Sequence, residues 1–464
     1  MVPLRFNEKK FERQTVVVNG KRITYRAFLD LDYLMMPVAE EQQLNVFVPE
    51  PYFNQGKVNR YSRVTAPIFM PNTIGGYLPG PRDYPGNPAP YSRGATILQA
   101  LARGYVVVSA GVRGRTTQNG GEFVGKAPAF IVDLKAAIRY VKFNAGWIPG
   151  DTERIITNGT SAGGAASALA GASGNADFFT MRLTELGAAP ATDDIFAVSA
   201  YCPIHNLEHA DAAYEWQFNG LNTWHNQQFS RVGNQLQVEP IAGKLSAKEQ
   251  ALSTQLKAAF PTYVNSLHLR NDQEAPLTLD DQGQGPFQQA IVNELKWSAQ
   301  QVLDAGGDVA GQRGLTIQAG HVTRLDWAQY LRGLTRMKAV PAFDTLDLSS
   351  AETQLFGNRL LAARHFTSFA QKRSNVPAQQ ADPDLVTAIN PVSYLGTNQS
   401  QVAQYWRIRH GAADRDTSFA IPFILATLLK NQGRDVDLAF PWGRPHDGDY
   451  DLPELFDWID RICQ

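Results

Sequence analysis

RIITNGTSAGGAASALAG, residues 154–171, sets a single hydroxyl nucleophile candidate, Ser161, between small residues where an apolar run gives way to an alanine-rich one. Gly159-Thr160-Ser161-Ala162-Gly163 is a G-x-S-x-G pattern. Those five residues alone would suit an ordinary Gly/Ser turn, but a strand reads directly before them and a helix directly after. That context is the one in which a serine sits on a sharp strand-to-helix elbow. The glycines leave room for the turn, and the helix N-terminus aims backbone N–H groups at the exposed hydroxyl.

The surrounding chain has the matching rhythm. LNVFVP (44–49) and APIFMP (66–71) are short apolar runs closed by proline, as buried strands are. ATILQALARG has helical spacing and stops at Gly104, and the β-branched run YVVVSAG follows. IVDLKAAIRYVKFN repeats apolar residues at Leu134, Ala137, Ile138 and Val141, an amphipathic helix. Strand, helix, strand, helix, strand implies right-handed crossovers and a parallel sheet. After IFAVSAYCPI (195–204) the rhythm is lost in a stretch rich in Gln, Asn and short helical pieces. It returns at YWRIRHGAADRD, then helix-like FAIPFILATLLKNQG, strand-like DVDLAF and a last amphipathic helix, LPELFDWIDRIC. The reading is a parallel α/β sheet interrupted by an inserted domain over residues 205 to about 395.

A serine hydroxyl is a weak nucleophile until a base takes its proton, and the base needs an acid to fix its tautomer. In this arrangement both arrive later in the chain, on loops after the last strands. Of the eight histidines, only His410 and His446 lie in the returning part, and only His446 follows the final strand. The preceding loop supplies Asp414, four residues after His410, and the order Ser161, Asp414, His446 is the expected one. His410 then reads as a structural residue at a strand end, and Asp416 is left over. The oxyanion needs two donors: the Ala162 N–H is one, and NTIGGYLPG offers the other at Gly75 or Gly76, whose blander reading is a turn needing positive φ.

A competing pattern is His205-Asn206-Leu207-Glu208-His209, H-x-x-E-H, which on a helix would place two histidines on one face for zinc with Glu208 as base. The serine constellation explains more of the chain, so no metal is expected. Composition excludes other classes. With 464 residues the chain is too long for one small core, and 43 Lys+Arg against 44 Asp+Glu leave no global field for nucleic acid or an anionic membrane. The charged N-terminus lacks a signal-like apolar core, and no run approaches the length of a membrane span, so a soluble cytoplasmic location is expected. Two cysteines, Cys202 and Cys463, make no disulfide framework.

LNVFVP, MPNTIGGYLPGP, GRTT, APAFIVD, RIITNGTSAGGA, ATDDIFAVSAYCPIHNLEHADAAYEWQFNG, RMKAVPAFD, WRIRHGAADRDTSFAIP and GDYDL together resemble the tannases of lactic acid bacteria over nearly the whole chain. The resemblance implies an α/β-hydrolase fold, with residues 1–204 and 396–464 as the catalytic domain and residues 205–395 as a large inserted lid domain, that hydrolyses gallic acid esters without metal or organic cofactor. It also implies that Lys338, Glu352 and Asp416 bind the galloyl hydroxyls, with Ile204 as a further substrate contact, which accounts for the spare aspartate. One lysine and two acids match a trihydroxy ring, since a phenolic hydroxyl both donates and accepts. Two departures stand out: Ala351 occupies a position where the family often has proline, and Thr160 and Asp447 stand where fungal tannases carry cysteines. A feruloyl or general carboxylesterase is the alternative within the class, with a zinc peptidase and a non-catalytic binding protein beyond it. The oligomeric state stays open, a monomer being compatible.

Overall fold

The computed structural model describes residues 4–232, 235–309 and 311–464. Nine strands form one mixed sheet: β1 (Glu12–Val18), β2 (Lys21–Asp32), β3 (Gln43–Pro49), β4 (Pro67–Pro71), β5 (Val106–Ala110), β6 (Asp151–Thr160), β7 (Ala197–Tyr201), β8 (Tyr405–Arg409) and β9 (Asp435–Ala439). Their spatial order is β1-β2-β3-β5-β4-β6-β7-β8-β9. The first four in that order pair antiparallel, and from β5 onward every neighbour is parallel. Strands β4, β5 and β7 are buried along their whole length, which is why they read as unbroken apolar runs. The N-terminal hairpin turns at Asn19-Gly20, both at positive φ, the turn that matches strand twist.

Helices α1 (Gly94–Arg103), α2 (Ala129–Phe143) and α3 (Ala162–Ala172) supply the crossovers. The elbow helix α3 is buried at every position, hence its alanine and glycine content. Among the described residues, the chain between β7 and β8 adds no strand to the sheet. It adds α4 (Leu207–Phe218), α5 (Ala247–Ser266), α6 (Pro286–Asp304), α7 (Trp327–Leu334), α8 (Ala351–Leu355) and two antiparallel hairpins. The expectation of short helical pieces is therefore corrected: α5 and α6 run to 20 and 19 residues. Helices α9 (Ala420–Asn431) and α10 (Leu452–Ile462) complete the chain.

One apolar core runs without a break from the sheet into the inserted stretch. Trp216 on α4 packs against Phe260, Phe287 and Trp327, all within the insertion. Phe287 in turn meets Phe423 of α9 edge-on at 5.4 Å, Trp327 meets Phe419 at 6.2 Å, and Tyr330 stacks on Trp442 at 5.5 Å. A smaller second cluster joins Leu245, Leu252 and Leu256 to Val340, Leu346 and Ala370. Among the described residues, no helix is long and apolar enough to cross a membrane.

Candidate active site

Because β4, β6, β7, β8 and β9 are parallel, their C-terminal ends share one edge of the sheet, and ligands of open α/β sheets bind at that edge. There the chain delivers Asn72 to Gly76, Ser161, Cys202 to His205, His410 to Asp416, and His446 in turn. Ser161 has φ 61° and ψ −123°, a conformation that costs a serine on the order of 1–3 kcal/mol and must be held by its surroundings. The Ser161 N–H donates to the Tyr201 carbonyl at 2.9 Å, and the Ser161 carbonyl accepts from Ala165 and Ile204. A Cβ on Gly159 would lie 2.3 Å from the Gly163 carbonyl oxygen, and one on Gly163 would lie 2.4 Å from Asn72 Oδ1, so the elbow closes only with glycine at both.

Asn72 pins the elbow to the neighbouring loop. Its amide donates to the carbonyls of Asn158 and Gly163 and to Ser167 Oγ at 3.0–3.1 Å, while its Oδ1 accepts from the Ile74 N–H. This loop leads to Gly75 and Gly76, both exposed and with open space where a side chain would stand. Their N–H groups and that of Ala162 find no partner among the described residues. Arg115 holds the far side of the loop, donating to the Gly76 carbonyl at 2.8 Å and to Gln354 of α8.

His446 and Asp414 meet as the sequence implies, Nδ1 to Oδ2 at 2.8 Å. Asp414 is fully buried; burial opposes its charge, but His446, His410 and the Asp416 N–H outweigh burial and hold the carboxyl well below its usual range. His446 is also subject to burial, which disfavours its cation, yet Asp414 and Asp416 outweigh this and raise it well above an ordinary histidine. The Ser161 hydroxyl makes no hydrogen bond among the described residues, so it stays free to turn. The two loops are tied nonetheless: Arg93 donates to Thr160 beside Ser161 and pairs with Asp449 near His446 at 3.0 Å. Asp449 also accepts from Thr96 and Asn158. His410 lies buried at the strand end as expected, its Nδ1 3.6 Å from Asp414 Oδ2.

The spare aspartate is joined to the insertion. Asp416 accepts from Lys338 Nζ at 2.7 Å, and the ammonium also stands 3.9 Å above the Phe343 ring. Burial lowers the Lys338 ammonium, but Asp416 and Glu352 outweigh it and raise the group above its usual value. Glu352, 7% exposed on α8, is raised by burial with Lys338 acting against the shift. The three charges thus lie within each other's field, and Asp416 also acts on His446. Ile204 is buried, its carbonyl accepting from the Tyr77 hydroxyl at 2.7 Å. Ala351 opens α8 in the place expected of proline; Ser350 caps the helix, accepting from the Thr353 N–H.

His205 and His209 do not share a helix face, because only His209 lies on the helix. His205 precedes α4, which starts after Asn206 in a left-handed conformation, and His209 stacks on Tyr263 at 3.5 Å. Burial lowers His205 to about 3 and His209 to about 4. A surface cavity of about 380 Å³ between α6 and α9, lined by Arg270, Glu294 and Phe423, contains none of the site residues.

A second Ser-His-Asp set lies in the insertion. His365 Nδ1 meets Asp344 Oδ1 at 2.7 Å and its Nε2 meets Ser374 Oγ at 2.8 Å. Asp344 Oδ2 also accepts from the Phe366 and Thr367 N–H groups and the Thr367 hydroxyl. Ahead of this set, buried Asp211 of α4 accepts from the Phe343 and Asp344 N–H groups. Together these acids fix the segment that runs from Lys338 to Glu352.

A G-x-S-x-G elbow at the head of a mixed nine-stranded sheet, with an aspartate and a histidine after the last two strands, defines an α/β-hydrolase. Residues 87–248 match the BD-FAE family model, a hydrolase domain. Over its full length the chain is 58% identical to a tannase from Lactobacillus plantarum, each chain covered at 100% with a TM-score of 0.98. A Fusobacterium nucleatum tannase shares 44% identity at 100% coverage of both, TM-score 0.95. A tannin acyl hydrolase solved in complex with ethyl gallate shares 57% at 99% coverage of both, TM-score 0.95. No curated protein sequence matched. The chain belongs to the tannase family and is an ester hydrolase.

Proposed function

We propose that this chain hydrolyses galloyl esters, those of hydrolysable tannins and simple alkyl gallates, by a serine mechanism run from Ser161, His446 and Asp414. Ser161 Oγ attacks the ester carbonyl while His446 takes its proton, and Asp414 holds the ring and balances the imidazolium. The Ala162 N–H with that of Gly75 or Gly76 receives the negative oxygen. The alcohol leaves with the proton from His446, and water activated by the same ring cleaves the galloyl enzyme. Lys338, Glu352 and Asp416 bind the three ring hydroxyls, with Ile204 beside the ring. Residues 205–395 act as the lid over a catalytic domain formed by residues 1–204 and 396–464.

The observation that carries this reading is the link Lys338–Asp416–Asp414–His446. One short turn joins the acid of the triad to the charged group that would read the ring. A site built to hydrogen-bond hydroxyls leaves its own charges unpaired when the hydroxyls are missing, and can reject such an analogue by roughly 10⁴-fold. Methyl gallate is expected to be hydrolysed well, methyl protocatechuate less, and methyl benzoate hardly at all. Asp416→Ala is expected to lower kcat/KM for methyl gallate by ~10²-fold while sparing a short aliphatic ester. Equal kcat/KM for methyl gallate and methyl benzoate in the wild type would favour a general carboxylesterase instead.

A further inference from the structure

Beside the His446–Asp414 pair lie two donors that ester hydrolysis does not use, Cys202 and His410. Cys202 follows β7 at φ 43°, fully buried, with its thiol in hydrogen-bonding range of His446 and 3.3 Å from the Asp447 carbonyl oxygen. One atom each of Cys202, His410 and Asp414 lies within 4.8 Å of the others. His410 is 0% exposed, and neither of its ring nitrogens has a hydrogen-bond partner. A buried imidazole with both nitrogens unpaired is costly, and edge-on packing against Phe419 and Phe440 holds its plane. Its Nδ1 already stands 3.6 Å from Asp414 Oδ2. Donors sharing a tetrahedral ion at 2.0–2.3 Å stand roughly 3.3–3.8 Å apart, so a donor at the 4.8 Å limit need close in by no more than about 1.5 Å.

We propose that Cys202, His410 and Asp414 form an inhibitory site for one thiophilic divalent cation such as cadmium or zinc. Sulfur, imidazole and carboxylate are the ligands such ions select, and a water or the His446 ring completes four-coordination. On binding, the Cys202 thiol releases its proton to solvent and the sulfur–metal bond forms, with no change of oxidation state. The ion draws the Asp414 carboxylate away from His446, and the base loses the partner that orients it. Inhibition by this route rests on the assignment of Asp414 to the triad, whereas binding does not.

The test is a titration of the full chain with cadmium in chelator-free buffer. Uptake is followed by thiolate-to-cadmium absorption in the ultraviolet, and methyl gallate hydrolysis is measured in parallel. One ion per chain is expected, with loss of activity restored by a chelator. Cys202→Ser should abolish the absorption and raise the cadmium needed for half-inhibition by at least ~10-fold, and Cys463→Ser should change neither. Cadmium absorption that persists in Cys202→Ser, or disappears in Cys463→Ser, would overturn the site. Should Cys202→Ser not fold, cadmium NMR of the wild type decides: a mixed sulfur, nitrogen and oxygen environment supports the site, and an all-oxygen one, or no uptake, refutes it. Uptake without inhibition would refute the route through Asp414 while leaving the ester hydrolase assignment untouched.

Discussion

His446 and His365 each hold an aspartate through Nδ1, at 2.8 and 2.7 Å, the first at the sheet edge that carries Ser161 and the second bonded to Ser374. Around His365 every bonding capacity is used. The ring is 0% exposed, both its nitrogens are bonded, and the Ser374 hydroxyl also reaches the Val376 carbonyl at 2.7 Å. Around His446 the side chain is 24% exposed, and Ser161 sits on a strained elbow with an uncommitted hydroxyl. The His365 group is a brace whose members are satisfied by one another. The His446 group leaves donors and a serine hydroxyl unspent, and in the proposed mechanism it is this remainder that a substrate uses.

The hardest test of that contrast is to remove each serine. Ser161→Ala is expected to lower kcat/KM for methyl gallate by at least ~10³-fold with the fold intact by circular dichroism. Retention of more than a hundredth of the activity would place the nucleophile elsewhere, with Ser374 the first alternative. Next in size is the brace: Asp344→Ala strands His365, two N–H groups and a hydroxyl, and should destabilise by about 3 kcal/mol in urea unfolding. A change below the error of that measurement would mean the His365 brace holds nothing.

A subtler effect lies in pH. Asp414 and Asp416 overcome burial and hold His446 above an ordinary histidine, so the neutral base appears only as pH rises past that point. The acid limb of kcat/KM should therefore lie on the alkaline side of 6.5, and Asp416→Asn, removing one negative neighbour, should move it toward acid. For stability the sign runs the other way: a histidine raised in the folded state stabilises the fold below its unfolded value, and this is lost as pH rises through the folded one. A limb that ignores Asp416→Asn would detach Asp416 from the histidine. The smallest effect is expected from Ser374→Ala, with kcat/KM within about 2-fold of wild type and a stability loss of about 1 kcal/mol.

What could be read in the chain follows from how local each signal is. Buried parallel strands announce themselves as apolar runs, and the elbow, Asp414 and His446 sit at positions fixed relative to those strands. The β1–β2 hairpin carried its own marker, Asn19-Gly20 between alternating residues, and it passed unread. Helix α5 was hidden because its buried side, Leu252, Leu256, Phe260 and Val264, is narrow among polar residues and carries Pro261, which reads as a breaker. Asn72, Arg115 and Asp449 had no legible role, because their partners lie 86, 239 and 291 residues away. The second Ser-His-Asp set was equally silent, since its members follow no strand of the sheet.

The unbroken core has a consequence for how a bulky ester reaches Ser161. Swinging residues 205–395 aside as one piece would part Phe287 from Phe423, Trp327 from Phe419 and Tyr330 from Trp442. At roughly 1.5–3 kcal/mol for each large side chain uncovered, that costs on the order of 10 kcal/mol. Such an open form would be present at about one molecule in ten million, too rare to serve turnover at ordinary enzyme rates. A bulky ester therefore has to reach Ser161 without that swing, through local movement of side chains and loops rather than by lifting the insertion whole.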